Sequence, residues 1–270
     1  MDDSLVRLVE FTGIPGSGKS ALYRAVVHAS RESGVRLETF TDVLLQRDNL
    51  WTNKWPLAAL LRNCTENTRY RIAKREYSFF WRAFGGRKKF LRENFALIAA
   101  VERHFRLSPM REKHRQMRFD TFMLVAQRYQ IADDHLPDSS AFVFDEGFTH
   151  RVVNLFVDAT NRQVDEGGIL DYLEYIPHVD ILIRVTSSIE TAIDRMRMRG
   201  LPMRLRDADD SMIVIYLENA ALATEIAVDK LASNGTMLIE VNNEEALCTV
   251  QRAALGRRIY EDVLQGLERK

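Results

Sequence analysis

The residues best suited to chemistry form a glycine-rich run near the start of the chain. Residues 13–20 read Gly-Ile-Pro-Gly-Ser-Gly-Lys-Ser, which fits the spacing G-x-x-x-x-G-K-[ST], and they follow an apolar stretch over residues 5–11. Glycines at this spacing let successive backbone N–H groups point at an anion, and a helix that begins near Lys19 adds its positive end. The run therefore predicts a loop that holds nucleotide phosphates.

The residues of this loop are expected to have distinct roles in nucleotide binding. Lys19 is predicted to contact the β- and γ-phosphates, and the Ser20 hydroxyl to bind the Mg²⁺ that bridges them. The sequence has no Asn-Lys-x-Asp run of the kind that reads guanine, which favours ATP as the nucleotide. The predicted ATP-binding residues are Gly13, Pro15, Gly16, Ser17, Gly18, Lys19, Ser20 and Ala21.

Three acidic residues, which follow two strand-like stretches, are the next candidates. Asp145 and Glu146 follow an apolar strand-like stretch over 141–144, and Asp42 follows another over 37–41. Because ligands of parallel sheets gather at the carboxyl ends of strands, Asp145 is predicted to bind Mg²⁺, and Glu146 to orient substrate. Asp42 is predicted to position the acceptor hydroxyl. The alternative for each carboxylate is a helix cap.

Arginines near residue 200 form a candidate lid over residues 195–210. Arg195, Arg197 and Arg199 precede Gly200, and the loop after it contains Arg204 and Arg206. Arginine pairs bidentately with phosphate, so Arg195 and Arg199, which share one helix face, are predicted to close over the triphosphate as catalytic residues. The alternative is an ordinary solvated helix.

The elements that must position these residues alternate between strands and helices. Strands are predicted at 5–11, 37–41, 141–144, 180–185 and 236–241, and helices at 19–33, 66–83, 88–105, 110–135, 188–199, 209–233 and 244–266. Such alternation predicts a five-stranded parallel sheet with helices on both faces, in a three-layer α/β sandwich. The chain shows no repeat or linker, so a single domain over 1–270 is expected.

The net charge of zero conceals a basic block. Residues 69–118 contain fifteen Lys or Arg residues and four Glu residues, a net charge of +11. This block lies within an expected helical insertion at about 47–118. It indicates either an anionic partner or solvated helices without a binding role.

Composition limits the classes of protein to consider. With 270 residues and 46% hydrophobic content, the chain is expected to be globular. Cys64 and Cys248 have no spacing of a disulfide framework or zinc site. An acidic N-terminus and the lack of an apolar run near the ~20 residues of a membrane span predict a cytoplasmic protein.

The order of these motifs resembles the thymidylate kinase and deoxynucleoside kinase group of P-loop kinases over most of the chain. The stretch 121–131 is similar to a helix whose Asp-Arg pair contacts the acceptor in that group; here Gln127 precedes Arg128, so the resemblance implies that Arg128 binds substrate. Glu146 stands where the group has an arginine, which disfavours an acceptor phosphate. The resemblance also suggests a homodimer.

Together these patterns predict an ATP- and Mg²⁺-dependent kinase for a small acceptor: a nucleoside, a nucleotide or a sugar-like alcohol. Two alternatives stay open. The basic insertion could direct the same chemistry to a nucleic acid or an anionic glycan or lipid, or the chain could be a regulatory ATP-binding module without a small acceptor.

Overall fold

The computed structural model describes residues 7–33, 37–43, 86–108, 110–136, 140–158 and 163–268. Their central element is a parallel sheet with the strand order β2-β3-β1-β4-β5. This confirms the predicted five-stranded parallel sheet and the α/β fold. The strands are β1 (Arg7–Thr12), β2 (Leu37–Glu38), β3 (Ala141–Phe144), β4 (Ile181–Thr186) and β5 (Met237–Asn242).

Nine helices lie within the described ranges. They are α1 (Lys19–Ser33), α2 (Gly86–Glu93), α3 (Phe95–Leu107), α4 (Glu112–His135), α5 (Phe148–Phe156), α6 (Glu166–Leu173), α7 (Ile189–Arg199), α8 (Asp210–Ser233) and α9 (Thr249–Glu268). A short 3₁₀ turn, Met203–Leu205, separates α7 from α8. The predicted helix over 66–83 lies outside the described residues.

The two faces of the sheet are covered by different helices. On one face, Val9 and Phe11 of β1 pack with Leu22 of α1 and Val263 of α9. On the other face, Leu8 belongs to a core cluster that includes residues of α4, α5 and α8. Alternate side chains of a strand point to opposite faces, and a parallel sheet buries both, so the sheet lies inside three layers.

Helix α8 is an unusually apolar element. An 18-residue window of this helix has a mean hydropathy of 1.4, and by length and composition alone it is the one helix among the described residues able to cross a membrane. Half of that window is buried inside the protein. Its Tyr216, Leu217 and Ala220 belong to the core cluster, which gives the apolar sequence a packing role.

Several elements differ from the sequence prediction. Helix α9 begins at Thr249, five residues after the predicted start at 244, and α6 has no counterpart among the predicted helices. The helix predicted over 88–105 is two helices, because the backbone of Asn94 leaves helical geometry at φ −113° and its side chain donates to the Phe90 carbonyl (3.1 Å). The strand predicted over 37–41 ends at Glu38. Thr39 and Asp42 then exchange hydrogen bonds, with Thr39 N–H donating to Asp42 (2.9 Å), and a helical turn begins.

Candidate active site

The glycine-rich loop joins β1 to α1 at the carboxyl edge of the sheet. Gly16 and Gly18 both have φ of +89°, a conformation that side chains other than glycine rarely adopt. A Cβ on Gly16 would lie 2.4 Å from the Ala192 carbonyl oxygen, so α7 packs directly against the loop. Helix α1 begins at Lys19, as the motif requires. The loop thus has the backbone geometry expected of a phosphate cradle.

The predicted acidic pair lies beside this loop. Because β1 and β3 are neighbours, with Glu10 paired to Phe144, the residues after β3 emerge next to those after β1. β1 also neighbours β4 on its other side, so the loop lies where the strand order reverses. Ligands of open α/β sheets bind at such a switch point.

Lys19 is buried and lies between the loop and the acidic pair. Its Nζ is 3.8 Å from Glu146 Oε1. Burial lowers the pKa of Lys19, and the carboxylates of Glu146 and Asp145 oppose that change. Lys19 thus keeps a carboxylate partner although it is buried.

Asp145 and Ser20 fit a magnesium ion. Burial raises the pKa of Asp145, and a hydrogen bond with the Ser20 side chain opposes the rise. The Oδ1 atom of Asp145 is buried without a hydrogen-bond partner. An orphaned carboxylate oxygen beside a hydroxyl is an oxygen donor set of the kind that Mg²⁺ prefers.

Glu146 is the centre of a charged cluster. Its Oε2 accepts from Arg151 Nη2 (2.8 Å), and its Oε1 lies 3.4 Å from His150 Nε2 and 3.8 Å from Lys19. Burial alone would raise the pKa of Glu146, but His150, Lys19 and Arg151 together lower it to about 2. Burial also holds the pKa of His150 well below its usual value. That low pKa leaves His150 neutral at neutral pH, so Lys19 and Arg151 supply the positive charge that keeps Glu146 ionised there.

Sequence reasoning missed His150 and Arg151. Both lie on α5, which was not predicted because it has only nine residues and no side-chain cap at Gly147. The available signal was a histidine four residues after Glu146, the spacing at which one helical turn returns to the same face; the position of Arg151, five residues after Glu146, gives no such signal.

Glu10 was also missed. It is fully buried in β1, and its two carboxylate oxygens accept from the backbone N–H groups of Phe148 (2.9 Å) and Thr149 (2.8 Å). Glu10 thus supplies the cap that α5 lacks at its own N-terminus and fixes the helix that carries Arg151. The signal was a glutamate inside the apolar run Leu-Val-Glu-Phe.

The two predicted lid arginines lie in different surroundings. Arg195 donates to the backbone carbonyls of Ser17 (3.3 Å), Asn243 (2.8 Å), Glu244 (3.2 Å) and Glu245 (3.1 Å). Its guanidinium therefore supports the loop from behind. Arg199 is exposed at the end of α7, close enough to Lys19 for its charge to lower the pKa of that ammonium.

Asp42 lies in the helical turn after β2, and Arg128 lies over Phe40 of the same turn. Asp42 Oδ1 pairs with Arg31 (2.8 Å), and Oδ2 accepts from Thr39, so the structure gives this carboxylate the capping contacts of the alternative interpretation. The Arg128 guanidinium lies 5.4 Å from the centre of the Phe40 ring. Burial lowers the pKa of Arg151, and the positive charge of Arg128 lowers it further.

The solved structures that are similar to this chain include two of one enzyme. Both are of deoxyadenosine kinase from M. mycoides, one with bound dCTP and one with the products dCMP and a flexible dCDP. They share 14% and 13% sequence identity with this chain, with TM-scores of 0.43 and 0.46, and each comparison covers 96% of this chain and 98% of the other. No family model and no curated protein matches the chain. The assignment of the fold rests on the sheet itself.

Proposed function

We propose that the protein is a P-loop kinase that transfers the γ-phosphoryl group of ATP to a hydroxyl of a small molecule. The loop from Gly13 to Ser20 would hold the donor phosphates, with Lys19 at the β- and γ-phosphates. Ser20 and Asp145 would hold Mg²⁺, which neutralises charge on the phosphates when bound. Arg199 lies at the same edge and would add a positive charge as the transferred group moves.

The observation that carries the proposal is the contact of Lys19 with a cluster of acceptor-side charges. A nucleotide-binding loop alone requires only the loop and its lysine. Here Lys19 also contacts Glu146, which Arg151 and His150 hold beside it. An ionised carboxylate next to the phosphate site can accept the hydrogen bond of an attacking hydroxyl. In phosphoryl transfer the main role of a protein base is to orient the nucleophile in this way.

The charge of Glu146 favours a neutral hydroxyl compound over a phosphate monoester. A carboxylate whose pKa is about 2 keeps its negative charge throughout the physiological range. A second anion beside it costs free energy unless a cation lies between the two. Among the predicted acceptors, the charge of Glu146 therefore favours nucleosides and sugar-like alcohols over nucleotides. A cytoplasmic location and a homodimer are parts of the same proposal.

The test is ADP release from Mg·ATP with a panel of nucleosides, nucleoside monophosphates and sugar alcohols, followed by mass spectrometry of each stimulating compound. We expect a phosphorylated product from at least one hydroxyl compound without a phosphate. ATP binding without any phosphorylated member of the panel would contradict the small-molecule assignment. A product formed only from monophosphates would contradict the argument from Glu146.

The structure does not favour the alternative of a large anionic substrate bound by the basic block. Several of its cations are paired with acids on other elements, as in Lys89 with Asp134, Arg103 with Asp171 and Arg118 with Asp158. These three pairs compensate part of the excess charge in the described part of the block. If a duplex nucleic acid bound there, the logarithm of its binding constant would fall linearly with the logarithm of the salt concentration, with a slope of about −0.9 for each phosphate neutralised.

A further inference from the structure

A buried asparagine joins three elements behind the phosphate-binding loop. Asn243 follows β5, and its side-chain Nδ2 donates to the Ser17 carbonyl (2.7 Å). Its backbone N–H donates to the Thr186 carbonyl at the end of β4 (2.9 Å), and its own carbonyl accepts from Arg195 of α7 (2.8 Å). Only 8% of Asn243 is exposed. The residue is thus fixed by the sheet and by α7.

The position of the Asn243 amide is tied to Gly18. A Cβ on Gly18 would lie 2.2 Å from Asn243 Nδ2 and 3.7 Å from Arg195 Nη1. The amide therefore occupies the space that a side chain at residue 18 would need. The loop glycine and the asparagine are matched to each other in shape as well as in hydrogen bonding.

The hydrogen bond from Asn243 to the Ser17 carbonyl fixes the orientation of one peptide group of the loop. The Ser17 carbonyl and the Gly18 N–H belong to the same planar trans peptide, so they point in opposite directions. Asn243 and Arg195 both donate to that carbonyl from outside the loop. The Gly18 N–H is consequently directed to the inner side, where a phosphate cradle needs its donors.

We infer that Asn243, with Arg195, is a positioning residue for phosphate binding: its amide holds the Ser17–Gly18 peptide with the N–H facing the bound phosphates. This inference rests on the proposed function and adds to it a residue outside the loop motif. It also assigns Arg195 a role different from the predicted one, because the Arg195 guanidinium stabilises the loop rather than closing over the triphosphate.

The test is calorimetric titration of the full chain with a non-hydrolysable ATP analogue and Mg²⁺. Asn243→Ala removes the donor. Asn243→Asp keeps the size but turns an oxygen toward the Ser17 carbonyl oxygen. Loss of one hydrogen bond to a buried carbonyl predicts affinity about tenfold weaker for Ala, and weaker still for Asp.

Asn242→Ala is the matched control. Asn242 is the adjacent residue of the same type, and its Oδ1 accepts from the Glu244 N–H (3.1 Å) rather than binding the loop. We expect this variant to bind the analogue within about twofold of wild type. Its result separates a specific contact with Ser17 from a general disturbance of the segment after β5.

Thermal unfolding without nucleotide completes the test. The hydrogen bond to Ser17 is present without nucleotide, so Asn243→Ala should also lose about 1 kcal/mol of folding free energy, a fall of about 2–4 °C in melting temperature. A positioning role predicts weaker binding by a variant that is still folded at the temperature of the titration. Unchanged affinity would overturn the inference, and so would Asn243 variants that do not fold at that temperature. If the wild-type protein itself does not bind the analogue, the proposed function fails, a result distinct from a failure of the Asn243 variants alone.

Discussion

Replacement of Glu10 by Gln tests how the acceptor side of the site is held in place. The Glu10 carboxylate accepts two backbone N–H groups at the start of α5, at 2.9 and 2.8 Å, and is fully buried. A glutamine of the same shape offers one oxygen and one NH₂ group, so one buried N–H loses its acceptor. We expect Glu10→Gln to fold and to be less stable.

The expected magnitude follows from opposing effects. An unsatisfied buried N–H costs about 1–3 kcal/mol, and loss of the negative charge at a helix N-terminus adds about 0.3–1 kcal/mol. Removal of a buried charge acts in the opposite direction, since burial raises the pKa of Glu10. We therefore expect the free energy of unfolding to fall by about 1–3 kcal/mol.

The assay is urea unfolding of both proteins without nucleotide. Glu240→Gln is the control, because Glu240 is an exposed glutamate whose pair with Arg184 (3.1 Å) is worth at most about 1 kcal/mol. A Glu10→Gln protein as stable as wild type, or more stable, would refute the reasoning. It would show that the cost of burying the carboxylate exceeds the value of its two hydrogen bonds.

The remaining predictions concern pH, packing and the charged cluster. Because the pKa of Glu10 is raised on folding, the stability it contributes should increase as pH falls through that raised pKa and decrease as pH rises; unfolding free energies across acidic pH should show this in wild type but not in Glu10→Gln. Gly256→Ala should destabilise by about 1–2 kcal/mol in urea unfolding, since its Cβ would lie 2.5 Å from the Ala25 Cβ, whereas Gly167→Ala, with open space around it, should be neutral or stabilising by up to about 1 kcal/mol. Arg151→Met should destabilise by about 1–3 kcal/mol, because Glu146 loses its partner at 2.8 Å but keeps its other contacts; equal stability would contradict that assignment.

The sequence predicted the parts of the fold that depend on local patterns. The strand over 141–144 and the helix over 19–33 have the bounds expected from them. Short apolar runs separated by helical periodicity were enough to predict the parallel sheet. The loop motif likewise predicted where β1 ends and α1 begins.

The parts that the sequence did not predict depend on contacts between distant residues. Glu10 acts on α5 across 138 positions of sequence, and Asn243 acts on Ser17 across 226. Neither residue belongs to a local motif, and only the folded sheet brings them to their partners. The nine residues of α5 do not predict a helix by themselves, since isolated helices of that length are marginal without tertiary contacts.

The most direct test of the central claim follows the γ-phosphoryl group itself. Wild-type protein is incubated with Mg·ATP that carries ¹⁸O in the γ-phosphate, together with the acceptor identified from the panel, and the label is measured in the acceptor and in free phosphate. The account predicts label in the acceptor, and loss of this transfer in Lys19→Ala. Label that appears only in free phosphate, or transfer that persists in Lys19→Ala, would contradict it.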